Sequence, residues 1–125
     1  MQRDMDLVRN ILLKIEAGKN VAMNDLSKTA CTNEDKLGYH IKMLVNEACL
    51  LTGIDVSSCD GPEWIHLDLT WHGHEFLDSV RDPEIWRRTK EGAAKIGSFS
   101  IETFAELAKG FIKTKIRQHT GVTVA

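Results

Sequence analysis

The chain lacks the cysteine pattern of a disulfide-bonded or zinc-ribbon protein. Its cysteines, Cys31, Cys49 and Cys59, are odd in number and form no CxxC pair. Neither a disulfide framework nor a thiolate metal site is therefore indicated. We expect reduced thiols, with Cys49 as a small residue of the core.

Long hydrophobic runs are also missing. No apolar segment approaches the roughly 20 residues that cross a bilayer. The N-terminus carries Arg3, Asp4 and Asp6, where a secretory signal would have an apolar segment. These absences predict a protein without membrane partners that stays in the cytoplasm.

Recognisable catalytic motifs are absent too, since the sequence has no phosphate loop, no HExxH and no nucleophile motif. The segment His72-Gly73-His74-Glu75 contains residue types that ligate zinc. In a helix, however, residues two apart point about 200° apart, so the two imidazoles cannot hold one ion by themselves. We predict a non-enzymatic protein with no metal and no cofactor.

The net charge of -2 conceals an uneven distribution. Basic and acidic side chains balance over residues 1–50. Residues 51–82 carry seven carboxylates and one arginine, a net charge of -6, whereas residues 83–125 carry +4. A polyanionic partner would have to avoid the acidic segment.

Helical periodicity defines the first half of the chain. It predicts a helix from Asp4 to Ala17 that ends at Gly18, a short helix capped by Asn24, and a third helix that begins at Thr32 with Asp35 as its capping-box partner. The third helix places one stripe towards the core, consisting of Leu37, Ile41, Leu44, Val45 and Ala48. Its other side carries Lys36, Tyr39, Lys42, Met43 and Asn46, with His40 on the flank.

Two segments with the alternation of strands follow. Thr52 to Ser57 and Trp64 to Leu69 are separated by the turn residues Asp60-Gly61-Pro62, which predicts a β-hairpin. In the second strand, the period of two predicts two faces: Ile65, Leu67 and Leu69 on one, and Trp64, His66 and Asp68 on the other.

Three capped helices complete the chain. Thr70 is predicted to cap a helix that buries Trp71, Phe76, Leu77 and Val80. Asp82 and Pro83 begin the next helix, with Ile85, Trp86, Thr89, Ala93 and Ile96 on one face. Ser100 caps the last helix, whose apolar stripe runs from Ile101 to Ile116 and whose outer side carries a basic stripe of Lys109, Lys113 and Arg117.

These elements predict a mainly α protein with a small β-hairpin. We interpret residues 1–82 as a winged helix-turn-helix domain and residues 83–125 as a C-terminal helical extension. The extension either packs on that domain or forms a homodimer contact through the last helix, whose apolar stripe is wide.

Three segments resemble a family of small proteins of unknown function that is common in phage and prophage genomes: QRDMDLVRNILLKIE, GYHIKMLVNEACLL and LTWHGHEFLDSVRDPEIW. The resemblance covers nearly the whole chain, and its most specific part is the LTWxGHEFLD block. It implies a winged-helix-like fold and a bacterial or phage origin, with no catalytic residues to transfer. Cys49 stands where winged-helix regulators usually have glycine.

Two functions remain open. The first is a small phage-type regulator that binds double-stranded DNA, with weak non-specific affinity, through Lys36, Tyr39, His40, Lys42, Met43 and Asn46. The alternative is a non-enzymatic module that binds a host or phage protein through the same face, because aromatic and methionine side chains are enriched at protein interfaces. Lys109, Lys113 and Arg117 are a secondary candidate surface, although such stripes are often only solvated.

Overall fold

The computed structural model describes residues 3–18, 21–30 and 32–120. Across these ranges the chain is mainly helical, with one two-stranded antiparallel sheet, which confirms the predicted class. The elements are α1 (Met5–Ala17), α2 (Met23–Ala30), α3 (Glu34–Asn46), β1 (Leu51–Asp55), β2 (Trp64–Leu69), α4 (Trp71–Val80), α5 (Pro83–Ile96) and α6 (Ile101–Thr120). They form two compact units, Met1–Leu77 and Asp78–Ala125.

The first helix follows its sequence signals closely. The Asp4 carboxylate accepts a hydrogen bond from the Leu7 N–H at 3.1 Å, and Gly18 ends the helix. The apolar face is buried, with Ile11 and Leu12 fully inaccessible. Both the boundaries and the core face of α1 are therefore as predicted.

Both following helices begin at a different residue from the one predicted. α2 starts at Met23, so Asn24 lies inside its first turn and is not its cap. α3 is capped by Asn33, whose side chain accepts from the Lys36 N–H at 2.7 Å, so the Thr32 capping box was wrong. Asn33 prevails because its short carboxamide reaches the N–H three residues on. The core stripe is confirmed at Leu37, Ile41 and Leu44, while Val45 and Ala48 are only half-buried.

The hairpin contains a β-bulge that changes the predicted faces of β2. Thr52 pairs with Asp68 and Ile54 pairs with Ile65, so Gly53 alone lies opposite two residues, His66 and Leu67. His66 takes the left-handed conformation, with φ 55°.

Because a bulge reverses the alternation of faces, Trp64 is buried and Ile65 is exposed. The prediction was thus wrong for these two side chains. It holds for Leu67 and Leu69, which are buried beyond the bulge.

Side chains of the LTWxG sequence connect the segment that follows α3 to the start of α4. The Thr70 hydroxyl accepts from the Gly73 N–H at 2.9 Å and donates to the Cys49 carbonyl at 2.7 Å. A Cβ on Gly73 would overlap the Leu50 carbonyl oxygen, so only glycine fits this approach. Thr70 is therefore the predicted cap and also a tie between two distant segments.

Two predicted core residues near this junction are at the surface. Trp71 is 81% exposed, and its indole N–H donates to Glu75 at 2.6 Å. Trp71 precedes Phe76 and Val80 by five and nine positions, which places it about 140–180° away from the buried side of the helix. Cys49 is exposed: it lies three residues beyond Asn46, the last residue of α3, so it does not continue the core stripe of that helix, and its backbone is left-handed with φ 56°.

The second unit joins α5 and α6 as a helical hairpin. Asp82 caps α5 through the N–H groups of Glu84 and Ile85, and Ser100 caps α6 through the N–H of Thr103 at 3.1 Å. Gly97 ends α5 in the left-handed conformation.

Aromatic side chains link these two helices. The Trp86 and Phe104 rings lie 5.4 Å apart between centroids, and both side chains are buried. The predicted core face of α5 is correct except for Ile96, which is 64% exposed at the final residue of the helix. The turn at Gly97 follows immediately, so no further helical turn covers this side chain.

Candidate nucleic-acid interface

The predicted contact residues of α3 differ in their accessibility. Lys42 and Asn46 are exposed, and they lie four positions apart, so they are neighbours on the helix surface. Lys36, Tyr39 and Met43 are half-buried. The outward side of α3 is therefore polar at its C-terminal half and partly covered nearer its start.

His40 cannot serve as a contact residue, which corrects the prediction that placed it on the flank. It is 1% exposed. Its Nδ1 lies 2.8 Å from the Lys36 carbonyl oxygen, which can only accept, so Nδ1 carries the proton. Its Nε2 accepts from the Asp4 N–H at 2.9 Å. The imidazole joins the start of α1 to α3 from inside the fold.

Lys36 is also engaged at this junction. Its Nζ lies 3.1 Å from Asp4 Oδ2. Burial raises the pKa of the Asp4 carboxyl, but the Leu7 N–H and the Lys36 ammonium outweigh this effect and hold its pKa below the usual value. A phosphate would have to compete with Asp4 for this ammonium group.

The electrostatic surroundings of α3 are mixed. Glu34 and Asp35 are exposed in its first turn, where they suit the positive end of the helix dipole but repel phosphate. Hydrogen bonds from Ser57 lower the pKa of Asp55, and the positive charge of Lys42 adds to this effect. The exposed ammonium of α3 therefore lies in the field of a hairpin carboxylate.

The hairpin has an exposed apolar surface that the sequence prediction missed. Ile54, Val56 and Ile65 are 51%, 44% and 38% exposed. Ile54 and Ile65 are cross-strand partners, so they share a face, and Val56 shares it because it follows Ile54 by two. The alternation in β1 could have shown that Ile54 and Val56 share a face. The exposure of Ile65 could not be predicted, because it depends on the bulge.

A small groove lies beside this hairpin. Its volume is about 270 Å³, and it is lined by Val21, Ala22, Glu63, Trp64, Ile65 and His66. This volume is below the range of about 300–1,000 Å³ that is usual for small-molecule sites. The groove adds apolar surface next to Ile65.

The basic stripe of α6 is exposed at all three predicted positions, Lys109, Lys113 and Arg117. Lys115 lies outside the stripe, and its Nζ is 2.8 Å from Asp82 Oδ2. That hydrogen bond lowers the pKa of Asp82 and raises the pKa of Lys115. The pair ties α6 to the cap of α5, whereas the stripe faces solvent.

The described ranges contain neither a cluster of metal-ligating side chains nor a membrane-spanning helix. No group of three or more histidine, cysteine or acidic side chains is placed to hold a metal ion there. His74 Nδ1 lies 4.0 Å from a Glu16 oxygen, and His72 is exposed. Within the same part of the chain, no helix has the length and apolar character needed to cross a bilayer.

Comparison with known proteins places these features in a family. Residues 2–100 match the family model described as "Hypothetical protein (DUF2513)". An "Uncharacterized protein" of Haemophilus influenzae is 36% identical over 120 residues, which cover 94% of this chain and 98% of the relative. No solved structure matches the chain. Because the matched region covers most of the chain and includes the LTWxGHEFLD block, the chain belongs to the DUF2513 family.

Proposed function

We propose that the chain is a small phage- or prophage-type regulator that binds double-stranded DNA with a winged helix-turn-helix. One observation carries this proposal: only three residues separate α2 from α3 in sequence, and the antiparallel hairpin follows α3. That order is typical of winged helices, in which the second helix of the pair enters the major groove. In this proposal α3 reads DNA in the cytoplasm of a bacterial host.

The exposed chemistry of α3 suits this role. The Asn46 carboxamide has the donor and acceptor pair that recognises adenine in the major groove. Lys42, one turn earlier, offers an ammonium group for a phosphate or a guanine. Lys36 would contribute only if a phosphate displaced Asp4. Recognition of the DNA sequence would therefore depend on Asn46 and Lys42. Tyr39 and Met43 are half-buried neighbours of these two side chains.

A second candidate function is binding of a host or phage protein through the same helix. The exposed carboxylates Glu34 and Asp35 favour it, because they repel DNA and not a neutral or basic protein. Tyr39 and Met43 lie four positions apart and are half-exposed, so they form a small continuous contact surface.

Matched alanine variants test the DNA proposal on a duplex selected from a random pool. Lys42→Ala should weaken binding several-fold and lower the salt slope by about one ion, because it removes about one phosphate contact. Asn46→Ala should relax base preference at one position. Lys95→Ala is the control, since this lysine is exposed on α5.

Equal effects of Lys42→Ala and Lys95→Ala would show only a general charge effect and contradict the proposal. If neither Lys42→Ala nor Asn46→Ala alters DNA binding, but Tyr39→Ala abolishes the complex of this chain with a purified host or phage protein, protein binding replaces DNA binding as the proposed function.

A further inference from the structure

The outer face of the hairpin combines apolar and acidic side chains. Ile54, Val56 and Ile65 lie at its centre. Asp68 pairs with Thr52 at one end, and the Glu63 carbonyl accepts from the Val56 N–H at the other. Since Glu63 precedes Ile65 by two, its exposed carboxylate borders the same face. An occupant must therefore present apolar side chains flanked by positive charges.

The chain itself contains a surface of that kind on α6. Ile112 and Ile116 are half-buried neighbours, one turn apart. Lys109 and Lys113 precede them by three positions each, so an exposed ammonium lies beside each isoleucine. The two isoleucines and the basic stripe of α6 thus lie side by side along the helix.

The two surfaces also agree in length. Eight residues of helix separate Lys109 from Arg117, which corresponds to about 12 Å. Five residues separate Glu63 from Asp68, which corresponds to about 16 Å of regular strand before the bulge shortens it. Flexible lysine and arginine side chains span the difference, so both ends of the acidic face can be reached at once.

We propose that the hairpin face of one copy of this chain binds the basic side of α6 in a second copy. A symmetric contact of hairpin with hairpin is disfavoured, because a two-fold interface between these faces would bring the carboxylates of Glu63 and Asp68 close to the carboxylates of the other copy. The reciprocal contact of hairpin with α6 occurs twice in a two-fold dimer and neutralises both surfaces. It does not depend on whether α3 binds DNA.

Charge reversal with mixing tests this dimer by analytical ultracentrifugation. The wild type should associate in a concentration-dependent manner, more weakly at high salt. The hairpin variant Glu63→Lys with Asp68→Lys should weaken association at least tenfold, because like charges then meet. The α6 variant Lys109→Glu with Arg117→Glu should do the same. An equimolar mixture of the two variants should associate again, since every contact is then complementary.

Single variants provide a control that disturbs folding less. Lys113→Glu should weaken association several-fold, whereas Lys95→Glu makes the same charge change on α5 and should leave it unchanged. A wild type that is monomeric at every concentration overturns the proposal. The proposal is also overturned if the equimolar mixture of folded charge-reversed variants stays monomeric. It is overturned as well if Lys109→Glu with Arg117→Glu associates as strongly as the wild type.

Discussion

At the residue scale, Thr70 is the side chain on which the most specific sequence block depends. Thr70→Ala removes the acceptor for the Gly73 N–H and the donor to the Cys49 carbonyl. We expect a loss of about 1 kcal/mol in the free energy of unfolding, with the outward side of α3 unchanged. Denaturant midpoints measure it. Thr70→Ser keeps the hydroxyl and should stay near the wild type, and an unchanged midpoint in the alanine variant would rule out the cap.

A substitution at Cys49 should stabilise the protein, in contrast to the one at Thr70. A non-glycine residue in the left-handed conformation costs about 1 kcal/mol, and φ at Cys49 is 56°. Cys49→Gly should therefore raise the free energy of unfolding by about 0.5–1 kcal/mol, whereas Cys49→Ala keeps the strain and should not. Thermal unfolding of the two variants decides, and equal melting temperatures would contradict the left-handed assignment.

Residue-scale errors of the sequence prediction share a physical cause. Periodicity reports the face of a residue only while the element continues regularly. It succeeded for Leu37, Ile41 and Leu44 in the middle of α3. It failed for Ile65, where a bulge adds a residue, and for Ile96, where the helix ends. Trp71 could have been placed correctly, because the spacing to Phe76 already put it on the outer side.

At the scale of elements, α1 and α3 are joined by a polar cluster that sequence patterns could not reveal. Asp4 is distant in sequence from Lys36 and His40, which lie one turn apart on α3, and only the packing of α1 on α3 brings the carboxylate to the ammonium and the imidazole. For that reason the structure differs from the predicted site: His40 is buried, and Lys36 forms an ion pair with Asp4. Lys42 and Asn46 kept their predicted exposure because they depend only on the turn of one helix.

This cluster predicts a pH dependence of folding. The pKa of Asp4 is lowered in the folded protein, so the ionised carboxylate stabilises the fold above the unfolded pKa of about 4. That contribution is lost as the pH falls through the lower folded value. Asp4→Asn keeps the cap and removes the charge, so it should cost about 0.5–1 kcal/mol at neutral pH, since the pair is partly exposed.

The same variant should flatten the stability curve below about pH 4, where the wild type loses the Asp4 contribution. Urea unfolding between neutral and acidic pH provides the measurement. Asp60→Asn removes an equal charge from an exposed turn and serves as the control. A curve for Asp4→Asn that runs parallel to that of the wild type would contradict the ion pair.

At the scale of the whole molecule, the distribution of charge matters more than the total of -2. The acidic hairpin segment and the basic C-terminal segment were both evident from the sequence. The apolar centre of the hairpin face was not, because its three side chains meet only after the bulged register is formed. An acidic surface beside α3 should depress affinity for arbitrary DNA far more than affinity for a matched site.

Binding to a random duplex pool, followed over a range of salt concentrations, tests the DNA-binding proposal most directly. We expect the wild-type protein to enrich a defined sequence while it binds the unselected pool weakly at physiological salt. Enrichment should persist when competitor DNA of arbitrary sequence is added, because α3 would read base edges. Tight binding of the unselected pool at physiological salt would contradict the effect assigned to the acidic hairpin. No enrichment at any salt concentration would contradict DNA binding itself.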